Sequence, residues 1–328
     1  MRLMRILAVV AALIVPGVLL TGTPAVASTA PGLFAVTDYN GGLVRGSGVT
    51  TVVRQSAGRY EVRFQQNMDP CSYTAAIAGP GNEIVYAPGV VTVASGGTEM
   101  DVHVETFTSP GGTLADFPFH LHAMCPGDSD WAVVGDTGTL ARGSAAVTSV
   151  VHLGAGQYEV RLNRPVSGCA YVATRGHTGW TGVAAPGTIS TATRSGNPNA
   201  IWVETRTIPG TFTDSPFHLQ VQCPDPGSVS RWAVVRADGS LARSASPLIN
   251  SAKIGPGQYR VFLLGGNSYG CAFVAVPGAP AAGSAGQQVL AFTTRDAEFP
   301  DWVVRVETKN VGGGLTDVPF HLQVSGAC

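Results

Sequence analysis

Alternation with a period of two runs through the chain. Tyr158-Glu-Val-Arg-Leu162 places apolar and polar side chains on opposite faces, and Tyr60 to Phe64 does the same. That is the pattern of a half-buried strand. Val102, Val104 and Thr106 share one face of another strand, and Phe119, Leu121, Ala123 and Cys125 share one face of a later one. Asp238-Gly239 lies between Trp232-Ala-Val-Val and Leu241-Ala, which predicts a tight hairpin. These elements predict an all-β chain of short antiparallel strands.

The pattern recurs three times. Trp131-Ala-Val-Val and Trp232-Ala-Val-Val open two units, and Phe34-Ala-Val opens a weaker one. Next come Arg45, Arg142 and Arg243, then Gly-x-Tyr-x-Val at 58–62, 156–160 and 257–261. A cysteine follows at Cys71, Cys169 and Cys271, and then the acids Glu105, Glu204 and Glu307. Each unit closes on Asp-x-Pro-Phe-His-Leu and a second cysteine, over 116–125, 214–223 and 317–328. The repeats occupy residues 28–125, 126–223 and 224–328, a length that fits one small β-sandwich, Ig-like or jelly-roll-like, per repeat. Their linkers, 126–130 and 224–231, are short and contain Pro and Gly; they restrict neighbouring domains without fusing them.

Parity turns the second cysteine of every unit inward, beside Phe119, Phe217 or Phe320. The first lies two residues before Tyr73, Tyr171 or Phe273. Three disulfides across three cores follow: Cys71–Cys125, Cys169–Cys223 and Cys271–Cys328. Closing a loop of about 55 residues contributes roughly 4 kcal/mol per domain in the chain-entropy model.

The chain has 42 Gly and 22 Pro but only 12% charged residues, which suits strands and turns. With 20 basic and 21 acidic residues there is no nucleic-acid footprint and no polybasic membrane patch. Arg2 and Arg5, an apolar run over 6–20 and Ala25-Val26-Ala27 read as a signal peptide over 1–27, with secretion to the extracellular space and no membrane attachment after cleavage.

No nucleophile elbow, zincin or phosphate-loop motif is present in the sequence. Each repeat does carry a Glu, an Asp and a His at matched places: Glu105, Asp116, His120; Glu204, Asp214, His218; Glu307, Asp317, His321. By parity Glu and His face outward on two strands expected to pair, where they would meet side by side. The plainer reading is a cross-strand polar pair, with the Asp shaping the turn before Pro-Phe. Repeat one holds a denser set, Asp101, His103, Glu105, His120 and His122, whose atoms have the chemistry of a Zn site; against it stands a solvated strand face. Trp180, Trp202 and Trp302 do not recur, and an outward Trp suits sugar stacking or partner anchoring, while the alternative is a Trp covered by a neighbouring loop or domain. The recurring Trp131 and Trp232 read as core.

W-A-V-V-x-x-x-G-x-L-A-R, G-x-G-Q-Y-E-V, C-A-Y-V-A-T and D-x-P-F-H-L-x-V, most complete in repeat two, resemble a repeat of uncharacterised secreted proteins of actinobacteria. The resemblance implies no activity. The expectation is a secreted, non-catalytic binding or structural module without a cofactor, its tandem copies multiplying weak affinity for extracellular polysaccharide or protein. Its binding residues would include Trp180, Trp202, Trp302, Glu204 and His218. The alternatives are a secreted hydrolase using the Glu/His pairs and a secreted protease inhibitor.

Overall fold

The computed structural model describes residues 32–179, 184–224, 231–246, 249–264, 266–283 and 288–326. The signal segment, Trp180 and Cys328 lie outside these residues. Among the described residues, structure is entirely strand and turn apart from one 3₁₀ turn, Ser268–Gly270, and no helix is long and apolar enough to cross a membrane.

Repeat one contributes β1 (Leu33–Thr37), β2 (Leu43–Ser47), β3 (Val49–Ser56), β4 (Arg59–Phe64), β5 (Ser72–Ile77), β6 (Gly89–Ser95), β7 (Asp101–Thr108) and β8 (Phe119–Met124). Repeat two contributes β9 (Asp130–Val134), β10 (Leu140–Gly143), β11 (Val147–Gly154), β12 (Gln157–Leu162), β13 (Ala170–Arg175), β14 (Gly187–Thr193), β15 (Ala200–Thr207) and β16 (Phe217–Gln222). Repeat three contributes β17 (Arg231–Val235), β18 (Leu241–Ser244), β19 (Ile249–Gly255), β20 (Gln258–Leu263), β21 (Cys271–Ala282), β22 (Val289–Arg295), β23 (Val303–Asn310) and β24 (Phe320–Gly326).

In repeat one the strands order as β2-β1-β8-β5 in one antiparallel sheet and β3-β4-β7-β6 in another. The other repeats use the same two orders, but the second sheet of repeat two joins the first sheet of repeat three through a parallel β14–β21 pair, giving eight continuous strands. The two faces of a repeat close on one apolar cluster. In repeat two it contains Tyr158, Val160, Leu162, Tyr171, Val203, Phe217, Leu219 and Val221, the residues that period-two alternation assigns inward. The Asp238-Gly239 turn connects the antiparallel β17–β18 pair as expected.

Cys71–Cys125 and Cys169–Cys223 are disulfides. They sit within the apolar clusters but do not cross from sheet to sheet. Ser72 pairs with Met124, so the bridge ties the ends of two neighbouring strands, β5 and β8, in one sheet. Cys271 is also disulfide-bonded, while its expected partner Cys328 falls outside the described residues.

The linkers do not leave the repeats unfused. The described residues of all three repeats belong to one compact unit. The equivalent joint appears three times: Val93 of β6 against Gly176 and Ala78 against Thr293 of β22 are parallel bridges, matching Thr191 against Gly278 within the β14–β21 pair. Repeat one therefore meets repeat two, two meets three, and three meets one. Small apolar clusters cover the same joints: Met124 with Trp131, Ala170 with Trp232, and Ala272 with Phe34. The recurring tryptophans are buried, as recurrence implied, but between repeats and outside each repeat's own core. Ala76, Val172, Val274 and Val276, drawn from all three repeats, form a further shared cluster.

Candidate functional site

The recurring motif residues separate into two structural devices. The first lies within a repeat. Gly58, Gly156 and Gly257 have φ of 69°, 63° and 60°, and a Cβ on Gly156 would lie 2.2 Å from the Thr205 carbonyl oxygen, so only glycine fits this turn. Their amides donate to Asp116, Asp214 and Asp317 at 2.8, 2.7 and 2.7 Å. The Tyr60 hydroxyl adds a bond of 2.9 Å to Asp116. The aspartate thus reaches back to lock the Gly-x-Tyr turn, rather than shaping the segment before Pro-Phe. Arg54, with this amide and hydroxyl, holds the Asp116 carboxyl down at about 2. Arg54, His152 and Lys253 pair with the three aspartates in turn.

The second device joins repeats. His218 Nδ1 accepts from the Tyr73 amide at 2.9 Å, and its Nε2 donates to the His177 carbonyl at 3.0 Å. His321 accepts from the Tyr171 amide at 2.8 Å and His120 from the Phe273 amide at 2.8 Å; their Nε2 atoms donate to Ala279 and Gly79 carbonyls. Each imidazole thereby receives from the preceding repeat and donates within its own, with repeat one reaching repeat three to close the cycle. All three are 0% exposed. Neutral imidazole matches this one-acceptor, one-donor environment. Burial pushes His218 and His321 down to about 3, aided by the charges of Arg142 and Arg243 respectively; His120 is also held well below its usual range by burial, then by Arg45 and His122.

The recurring arginines serve the same joints. Arg142 Nε donates to the Cys71 carbonyl at 2.8 Å, Arg243 Nε to Cys169 at 2.7 Å, and Arg45 Nε to Cys271 at 2.7 Å. In the sequence these arginines mark the repeat and carry no assigned role. Their recurrence in step with the cysteines and histidines was the available signal, but only the pairing of one repeat's Arg with another's carbonyl explains it.

The Glu/His pairs do not meet side by side. Glu105 is on β7 and His120 on β8, which belong to different sheets. Parity correctly turned these side chains away from the core of their own repeat, but the histidine face is covered by the next repeat and is not solvated. Asp101, His103, Glu105, His120 and His122 likewise do not converge. Among the described residues, no group of three or more His, Cys, Asp and Glu could hold a metal ion. Asp101 is held by Arg63 at 2.8 and 2.9 Å and by Thr98 at 2.7 Å. His103 contacts Glu61 at 2.8 Å and Glu105 at 3.5 Å, while Glu105 accepts from Arg59 at 2.8 Å. Burial pushes the His103 imidazole down, yet Glu105 and Glu61 outweigh it and raise it to about 9. His122, fully buried on the other sheet, is pushed by burial down to about 4.

Trp202 and Trp302 are not open platforms. Trp202 is half-buried: its Nε1 donates to Glu204 at 3.0 Å, Arg194 stacks 5.0 Å from its ring, and it packs on Ala192 and on Ala279 of repeat three. Trp302 is half-buried beside Phe262 and Phe299. Glu204 is buried against Trp202 and Arg206. Trp180 lies outside the described residues.

Replacing His218 by Ala tests the joint. It strands the Tyr73 amide and the His177 carbonyl, each worth about 1–3 kcal/mol when buried without a partner. The expected outcome is a loss of roughly 2–5 kcal/mol in urea unfolding. An unchanged midpoint accompanied by loss of a hydrolytic activity would return His218 to the catalytic reading.

Compared with protein-family models, with characterised proteins and with solved structures, the chain gives no significant match.

Proposed function

We propose that this protein is a secreted, non-catalytic binding or structural module: three small β-sandwich repeats closed into a ring that displays equivalent outer surfaces to extracellular polysaccharide. One observation carries the reading. The histidines that recur with the motif, His120, His218 and His321, are fully buried and spend both ring nitrogens on backbone bonds. A proton carrier needs a free nitrogen within reach of substrate; these hold the ring together. The disulfides are compatible with an extracellular protein, and the resemblance to secreted actinobacterial repeats points the same way. Repeated surfaces on a rigid frame suit a multivalent ligand such as a polysaccharide, because the sites engage together without ordering a linker.

The test is retention of the purified, oxidised mature chain on insoluble cellulose, chitin and bacterial cell wall. The full chain is the right probe, since each repeat buries surface and polar groups on its neighbours. Saturable retention on at least one matrix is expected. Absence of retention on all of them would overturn the polysaccharide assignment.

A further inference from the structure

Among the differences between the repeats, one lies at the end of a strand that all three share. Where β5 ends in Ile77 and β21 carries Pro277, the equivalent residue of β13 is Arg175; these residues pair with Phe119, Phe320 and Phe217 in the same register. Opposite it, before the Pro-Phe-His segment, repeat one has Phe117, repeat three has Val318 and repeat two has Ser215. In repeat one Ile77 and Phe117 join an apolar cluster with Val90 and Phe107. Repeat two replaces that apolar plug with a guanidinium and a hydroxyl.

Beside them opens a cleft of about 320 Å³, lined by Asp136, Arg175, His177, Thr178, Asp214 and Ser215 among others. That volume is at the small end of the range for ligand sites, about 300–1,000 Å³. Arg175 is 3% exposed. Its Nε donates to Ser215 Oγ at 2.9 Å and its Nη1 to the Arg206 carbonyl at 2.8 Å. No carboxylate of the described residues pairs with it, and its Nη2 makes no hydrogen bond among them. A Cβ on Gly187 would lie 1.5 Å from Arg175 Nη1, so the guanidinium fits only against a glycine here; the equivalent residues are Gly89 in repeat one and Val289 in repeat three. A buried cation without a charge partner is costly unless its remaining donors are used. The same cleft is lined by acceptors, the exposed Asp136 and Asp214, the latter already accepting from the Gly156 amide at 2.7 Å and bonded to His152 at 2.8 Å.

We propose that this cleft in repeat two binds one neutral sugar residue, with Arg175 Nη2 donating to a sugar oxygen and Asp136 and Asp214 accepting from hydroxyls. The lining supplies both donors and acceptors, the Arg175 guanidinium and Ser215 hydroxyl beside the Asp136 and Asp214 carboxylates, and a sugar hydroxyl pairs with either kind because it both donates and accepts. The inference rests on the polysaccharide reading above and adds a location and a stoichiometry for soluble oligosaccharide: one specific cleft per chain, at repeat two, beside equivalent outer surfaces whose weak single-site affinity registers only on a multivalent matrix.

The test is calorimetric titration of the mature chain with cello-, chito- and xylo-oligosaccharides. One equivalent per chain is expected for at least one of them. The double variant Arg175→Ile, Ser215→Phe rebuilds the plug found in repeat one and should weaken binding at least tenfold while the thermal midpoint stays near wild type. Asp136→Ala, at an exposed loop position that cannot unseat the core, should weaken binding several-fold and covers the case in which the double variant fails to fold. Binding of three equivalents, binding unchanged in Asp136→Ala and in a folded double variant, or no binding of any oligosaccharide would each overturn the proposal. Retention of wild type and folded double variant alike on an insoluble matrix would leave the polysaccharide function standing and remove this site alone; loss of both matrix retention and oligosaccharide binding would remove the two together.

Discussion

Acidification should unfold this protein steeply, with a midpoint between about pH 4 and 5.5. Four imidazoles, His120, His122, His218 and His321, are fully buried, and burial depresses all of them: His122 to about 4, His218 and His321 to about 3, and His120 well below its usual value. In the unfolded chain they take up protons near pH 6.5. A depressed histidine therefore contributes stability that is complete above pH 6.5 and is lost as the pH falls toward the folded-state value. Each unmatched proton costs about 1.4 kcal/mol per pH unit, so four cost between 5 and 6 kcal/mol per unit, by order of magnitude. Two units below 6.5 that amounts to about 11 kcal/mol, comparable to the whole stability of an ordinary domain, about 5–15 kcal/mol. The charges of Arg45, Arg142 and Arg243 disfavour the imidazolium further at His120, His218 and His321 respectively. The paired carboxylates act in the same direction at lower pH, with Asp116 held at about 2. His103 has the opposite sign: raised to about 9 by Glu105 and Glu61 against its burial, it contributes below pH 6.5 and loses that contribution as pH rises through 9. Urea unfolding followed by tryptophan fluorescence at half-unit pH steps measures the slope. A stability that stays level down to pH 3.5 would mean that the four rings are not buried neutral.

Removal of one disulfide is the next largest effect expected. Cys169→Ala with Cys223→Ala opens a loop with a sequence separation of 54. In the chain-entropy model the bridge is worth about 4 kcal/mol, or roughly 6–8 °C in thermal midpoint for a single cooperative unit spanning all three repeats. The effect should spread beyond repeat two. The Cys169 carbonyl accepts from Arg243, and two residues on the Tyr171 amide donates to His321, both from repeat three. Loosening the end of β13 therefore loosens the joint between repeats two and three. Calorimetry should show one transition displaced as a whole. A separate early transition equivalent to one repeat, with the remainder unshifted, would show that the repeats fold independently.

The local elements of this architecture were legible in the chain. Alternation in Tyr158-Glu-Val-Arg-Leu162 and its counterparts set strand faces correctly, because side-chain direction in a strand depends only on position along it. The cysteine pairings Cys71–Cys125 and Cys169–Cys223 followed from the triplication, which leaves one pair per repeat. Parity separates two faces of a strand but does not say what covers the second. The face holding His120, His218 and His321 looked solvated, and in the fold it is buried against another repeat, since neighbours in space are set by sheet order and by packing between repeats. For the same reason Glu105 and His120, which the chain suggested as partners, stand on different sheets, and Asp214, expected to shape its own turn, reaches back to Gly156. Strand content, face and disulfide pairing were thus determined by the sequence itself through local stereochemistry and repetition. The closed cycle of joints, the burial of its histidines and the cleft at Arg175 were decided by the tertiary structure, because each depends on which distant backbone groups arrive beside a given side chain.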